Sequence, residues 1–108
     1  VYAYTYPHYL RHPCEKDTGR TLIKIGSTHR SAAARVRSQT RLTPCPEVGV
    51  LLRSWPTRRM LTMERWMHAI LEAAGDTRST AHPGSEWFMT RLDRLDHAAE
   101  LMTLRAVP

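Results

Sequence analysis

The first six residues alternate strictly. Tyr2, Tyr4 and Tyr6 fall on one side and Val1, Ala3 and Thr5 on the other, a period of two in β-forming residues that predicts a strand. Residues Pro7 to Arg20 hold two prolines, a glycine, two histidines and several charges with no periodicity, and predict a long excursion loop. Thr21 to Gly26 alternates again, Ile23 and Ile25 against Leu22 and Lys24, so a second strand completes a hairpin whose turn carries that insert.

Ser31 is a capping residue ahead of Ala32, Ala33 and Ala34, and predicts a helix that stops before Pro44. Val48 to Trp55 reads as a third strand; Pro56 ends it, and Thr57 is expected to cap a second helix running to Gly75. Met60, Met63, Met67, Ile70 and Ala74 recur there at helical spacing and form its expected core stripe. After a loop from Gly75 to Ser85, Glu86 to Met89 is a short apolar segment, strand or turn. Thr90 is then expected to cap a last helix with Leu92, Leu95, Ala99 and Met102 inward and Arg91, Arg94, Asp96 and Glu100 outward. The order predicts an α/β (α+β) fold, a small three-stranded mixed or antiparallel sheet flanked by about three helices.

Composition narrows the class. With 108 residues, 42% hydrophobic and 24% charged, the chain fits a single domain over residues 1–108 rather than a disordered tail. A strand at the first residue, without a leading Met, points to a processed chain or to a domain excised from a longer protein. Sixteen Lys and Arg against ten Asp and Glu leave a formal charge of +6, which calls for an anionic partner, polyphosphate first among them. No apolar run approaches the roughly 20 residues that span a bilayer, and no export signal opens the chain. Cys14 and Cys45 lie in separate loops without a CxxC pair, which excludes a disulfide framework and a four-thiolate zinc site and fits a cytoplasmic location. His8, His12 and Cys14 lack a fourth ligand, so zinc is not expected.

Three features stand in order: Val1-Tyr2 opening a strand, Lys24-Ile25-Gly26-Ser27-Thr28 closing the next, and Arg35 nine positions beyond Gly26. Together they resemble the GIY-YIG nuclease superfamily, in the phage and bacterial branch whose second motif reads Lys-Ile-Gly. Glu64 followed by His68 on a helix, and Gly84-Ser85-Glu86-Trp87-Phe88, are similar to that branch's Glu-x-x-x-His and Glu-Trp-Phe blocks. The stretch between the first two motifs is longer than usual for the superfamily, and the glycine of the first motif would precede Val1. The resemblance implies a small mixed sheet with helices around it and one divalent-metal nuclease site on one face.

Phosphodiester hydrolysis needs an activated water, a cation on the phosphoryl oxygens and help for the leaving alkoxide. Alternation puts Tyr2 and Lys24 on one sheet face, where the ammonium is expected to lower the phenol from its usual value of about 10 and fit Tyr2 as the water-activating base. Glu64 borders the methionine stripe, where an unpaired carboxylate is costly to desolvate, so it wants a cation. By resemblance that cation is Mg²⁺ or Mn²⁺, held by one carboxylate with waters and phosphate oxygens. Arg35 is expected to clamp the scissile phosphate through its two parallel donors, with Arg30 as a second contact. His68 is expected to order the attacking water or the phosphate, and His29 to approach the leaving oxygen; Ser27 and Thr28 shape the turn and offer hydroxyls to phosphate. Each has a plain alternative: a strand tyrosine, a surface arginine, a helix Glu64 paired with Arg59 or Arg65, a structural histidine. For Trp87 and Phe88 core packing is preferred over base stacking.

The expected function is therefore a metal-dependent DNA endonuclease, with RNA left open as substrate and an appended DNA-targeting domain placed outside this chain. Two other classes stay open. One is a nucleic-acid-binding module that keeps the scaffold without catalysis; the other is a protein-interaction domain using the Pro7 to Arg20 loop.

Overall fold

Each tyrosine of the opening strand needs cover on both sides, and the sheet supplies it by placing that strand inside. In a computed structural model describing residues 1–41, 47–79 and 86–107, strands β1 (Tyr2–Thr5), β2 (Thr21–Gly26), β3 (Val50–Ser54) and β4 (Trp87–Thr90) form one sheet in the order β3-β1-β2-β4. Every neighbouring pair is antiparallel, with Tyr2 opposite Gly26 and Tyr4 opposite Lys24. All four residues of β1 are buried. The chain is thus a small α+β protein, and the expected hairpin of the first two strands is present.

Helices cover the two faces differently. Ala3, Ile23, Ile25 and Phe88 meet Met67 and Leu71 of α3 (Met60–Ala73) and Leu95 and Ala98 of α4 (Leu92–Leu101) in the main apolar core. Tyr2 and Tyr4 point the other way and pack with Val36 of α2 (Ala32–Arg41). Close seating of α2 depends on Gly49: a Cβ there would stand 2.6 Å from Thr40 Cγ2 and 3.1 Å from Tyr4 Cδ2. At its start the Ser31 hydroxyl accepts the Ala34 amide at 3.4 Å, the cap the sequence predicts.

Several expectations change. The sheet has a fourth strand, because Trp87 to Thr90 pairs with β2; Phe88 then drops into the main core while Trp87 joins the tyrosine row, stacked on Tyr6 at 5.9 Å and edge-on to Tyr4 at 5.5 Å. Four residues are too few to show a period of their own, and the pairing is long-range. A fourth helix, α1 (Pro7–Arg11), occupies the start of the expected loop, with Pro7 in its first turn, where a missing amide is harmless, and no buried residue. The loop also bonds back to its own chain, Arg11 Nη2 meeting Glu47 Oε2 at 3.1 Å.

The helix ends shift too. Thr57 does not cap α3; its hydroxyl accepts the Arg59 amide at 3.2 Å in a tight turn, and the helix starts at Met60. The C-terminal end falls where expected, closed by Gly75 N–H to the Glu72 carbonyl and Asp76 N–H to the Leu71 carbonyl. The buried face of α3 carries Glu64, Met67, His68 and Leu71, with Met60, Met63 and Ile70 of the expected stripe packed against the same core and Ala74 alone of that stripe exposed. Thr90 ends β4 instead of capping α4, and its hydroxyl donates to the buried Asp76 Oδ2 at 2.7 Å. Pro44, Cys45, Gly84 and Ser85 lie outside the described residues.

Candidate active site

Where β1 begins and β2 ends, Gly26 leaves a space that two polar groups enter. A Cβ on Gly26 would stand 2.8 Å from the Tyr2 hydroxyl oxygen and 3.3 Å from Glu86 Oε2. The phenol and the carboxylate therefore meet over one backbone position that only glycine leaves open. The Tyr2 hydroxyl donates to Gln39 Oε1 at 3.3 Å and accepts a hydrogen bond from Arg35. Arg35 and Gln39 are four residues apart on α2, so both reach the same side of the helix.

Glu64 comes from the opposite face of the sheet. It is buried on α3 and takes a hydrogen bond from Ser27, the residue after Gly26. Burial raises its carboxyl above the ordinary 4.5 and the like charge of Glu86 raises it further; the amino nitrogen of Val1, Ser27 and Arg65 act against this. Lys24 sits between the groups. Burial lowers its ammonium, Arg35 lowers it again, and Glu86 and Glu64 hold it up.

Tyr2 and Glu86 thus meet over Gly26, and Arg35, Lys24 and Glu64, drawn from α2, β2 and α3, act on the same charges. One expected detail is corrected. Lys24 shares the sheet face with Tyr2, but in register it opposes Tyr4, and its Nζ lies 5.9 Å over the Tyr4 ring. The cation that lowers the Tyr2 phenol is Arg35, and it does not prevail: burial raises the phenol above its ordinary 10.0, and Glu86 adds to the rise.

The other candidates separate into two groups. Ser27, Thr28, His29 and Arg30 line a cleft of about 360 Å³ with Arg35 and Ser38. A second cleft of about 500 Å³, floored by Tyr2 and walled by Thr28, His29, Arg30 and Arg58, opens beside it. His68 stands apart under β2. Its Nε2 meets the Ile25 carbonyl at 3.3 Å, its Nδ1 faces Arg78 Nη2 at 3.4 Å, and its ring lies 4.8 Å from that of Phe88. The neutral Nε2–H form satisfies both contacts, and burial lowers its pKa accordingly. With both nitrogens engaged, His68 braces the strand that ends at Gly26 rather than reaching into the cleft.

Two residues escape the sequence reading. Glu86 acts on Tyr2, Lys24 and Glu64 together, although the sequence offered it only as part of the Glu-Trp-Phe block. Gln39 was legible only as the position four beyond Arg35 on one helix face.

Among the described residues no group of three His, Cys, Asp or Glu side chains could cage a metal ion. What is present suits a hard cation on one carboxylate: Glu64, buried and with its carboxyl raised by that burial, gains from a positive charge in front of it.

Fold and site define a small α+β domain with a basic cleft around a phenol, a guanidinium, an ammonium and two carboxylates. Residues 1–103 match the T5orf172 domain, and the chain belongs to that domain family. No curated protein and no solved structure matches it. Among the described residues no helix is long and apolar enough to cross a membrane.

Proposed function

We propose that this domain is a divalent-cation-dependent DNA endonuclease of GIY-YIG type, cleaving phosphodiesters by in-line attack of water. The observation that carries the reading is the meeting of Tyr2 and Glu86 over Gly26, with Arg35, Lys24 and Glu64 near enough to act on the same charges.

In this reading the scissile phosphate enters the cleft lined by Ser27, Thr28, Arg30 and Arg35. Arg35 gives one donor to the Tyr2 oxygen and keeps others for a phosphoryl oxygen, which fixes the phosphate relative to the phenol. Tyr2 takes the proton of the attacking water. Its phenol is neutral at rest, and Arg35 stabilises the fraction that ionises. Lys24 balances the charge of Glu86, so that two nearby carboxylates do not repel the incoming phosphate. Glu64 would hold Mg²⁺ or Mn²⁺, which would supply charge neutralisation for the phosphate. His29 and Arg30 lie on the exposed rim, placed to hold flanking phosphates.

The elevated phenol favours a second reading, a nucleic-acid-binding module in which Tyr2 never ionises and the cleft only binds. One assay separates the two. Supercoiled plasmid incubated with the protein is expected to be nicked when Mg²⁺ or Mn²⁺ is added and to stay intact with a chelator. Salt-sensitive binding with no nicking under either cation would leave the binding module.

A further inference from the structure

The charges of this molecule are sorted. Arg11, Arg20, Arg53, Arg78, Arg91 and Arg94 all hold a carboxylate within 4.0 Å. Among the described residues, the arginines with no such partner are Arg105 near the C-terminal end and Arg30, Arg35, Arg37, Arg58, Arg59 and Arg65. Those last six belong to the segment leading into α2, α2 itself, the turn before α3 and the first half of α3. Arg30 and Arg58 line one cleft over Tyr2, and uncompensated cations gathered at a cleft are a footprint for a polyanion.

Arg30, Arg58 and Arg59 line adjoining grooves. The 500 Å³ cleft over Tyr2 and a groove of about 330 Å³ along the start of α3 share His29 and Arg58 as lining residues, and the groove continues past Arg59 to Thr62. Trp66 follows four residues beyond Thr62 on the solvent face of α3 and is 52% exposed. Residues four apart share one helix face, so the indole stands one turn beyond the Thr62 end of that groove. Half exposed, the indole presents a flat face at the end of a basic furrow, on which a base can stack.

We infer that the furrow from Tyr2 past His29, Arg58 and Arg59 to Trp66 is the path of a single nucleic-acid strand, with an unpaired base stacked on the Trp66 indole. The arginines take the backbone phosphates, and the stacking is sequence-tolerant because every base offers a flat face. This path rests on the endonuclease reading. It adds that the strand next to the scissile phosphate is held unpaired, and that the domain prefers frayed, gapped or single-stranded DNA to intact duplex.

The test is equilibrium binding of a fluorescent oligothymidylate in chelator at several salt concentrations, with circular dichroism as the folding control. Trp66→Ala should weaken binding about tenfold or more, while Trp66→Phe, which keeps an aromatic face, should stay near wild type. Arg58→Ala with Arg59→Ala should flatten the dependence of log affinity on log salt by roughly 0.7 per residue removed. Wild-type affinity in Trp66→Ala overturns the path. So does a Trp66→Ala protein that binds normally but loses self-association in sedimentation, since a second copy then covers the indole. If wild type binds no oligothymidylate even at low salt, the path falls, while plasmid nicking decides the nuclease reading separately.

Discussion

The Tyr2 hydroxyl occupies the space that a side chain on Gly26 would need, 2.8 Å from where the Cβ would stand, and Tyr2 Cζ is only 3.0 Å from the same point. Gly26→Ala must therefore push the phenol away from Arg35 and Gln39. Overpacking of this kind costs about 1–3 kcal/mol of stability, and the displaced hydroxyl should lower plasmid nicking as far as Tyr2→Phe does. Thermal melts and nicking rates of Gly26→Ala, Tyr2→Phe and the double variant check this. The double variant should be no slower than the slower single one, because both substitutions remove the same function.

Tyr2→Phe keeps the ring packed against Tyr4 and removes only the hydroxyl. Cation-dependent cleavage should fall by about 10²- to 10⁴-fold, with a stability loss near 1 kcal/mol for the missing hydrogen bonds. Burial holds the phenol above 10.0, so the wild-type rate should climb with pH across the alkaline range. In Tyr2→Phe that climb should vanish. A pH profile unchanged by the substitution assigns the base to another group.

Glu64 links the site to folding. Its carboxyl holds a proton more tightly in the folded state than its ordinary 4.5, so the associated stability is fully present below pH 4.5 and is lost as pH rises through the elevated value. Without divalent cation, Glu64→Gln should thus gain on wild type in thermal melts from pH 4.5 toward neutrality. Added Mg²⁺ should then raise the melting temperature of wild type and not of Glu64→Gln. Parallel melting curves across pH, with or without Mg²⁺, would contradict this.

Much of this arrangement was written in local pattern. The alternation of Tyr2 and Tyr4 and of Ile23 and Ile25 shows which face each occupies, and Ser31 with three alanines marks the start of α2. What was not legible depends on partners distant in sequence. The fourth strand exists because Trp87 and Phe88 find Lys24 and Ile23, and Glu86 enters the site only through that pairing. The pairing of Lys24 with Tyr4 rather than Tyr2 is a matter of register, which alternation alone leaves free by two residues. His68 reads as a candidate from its spacing to Glu64, yet the Ile25 carbonyl that claims its nitrogen lies 43 residues away.

Asp76 serves the scaffold and provides a control. Its fully buried carboxylate accepts from Thr90 at 2.7 Å and meets Arg20 at 3.3 Å, joining the end of α3 to β4 and to the residue before β2. Asp76→Ala should cost about 2–3 kcal/mol by denaturant unfolding. Well below the melting temperature its nicking rate should stay close to wild type.

Single-turnover cleavage of plasmid DNA under saturating Mg²⁺ tests most directly whether the groups around Gly26 act on one phosphate. Arg35→Ala and Glu64→Gln, confirmed as folded by circular dichroism, should each cut at least about 10²-fold more slowly than wild type. Either variant cutting at the wild-type rate would show that the convergence on Gly26 is architecture without that chemistry.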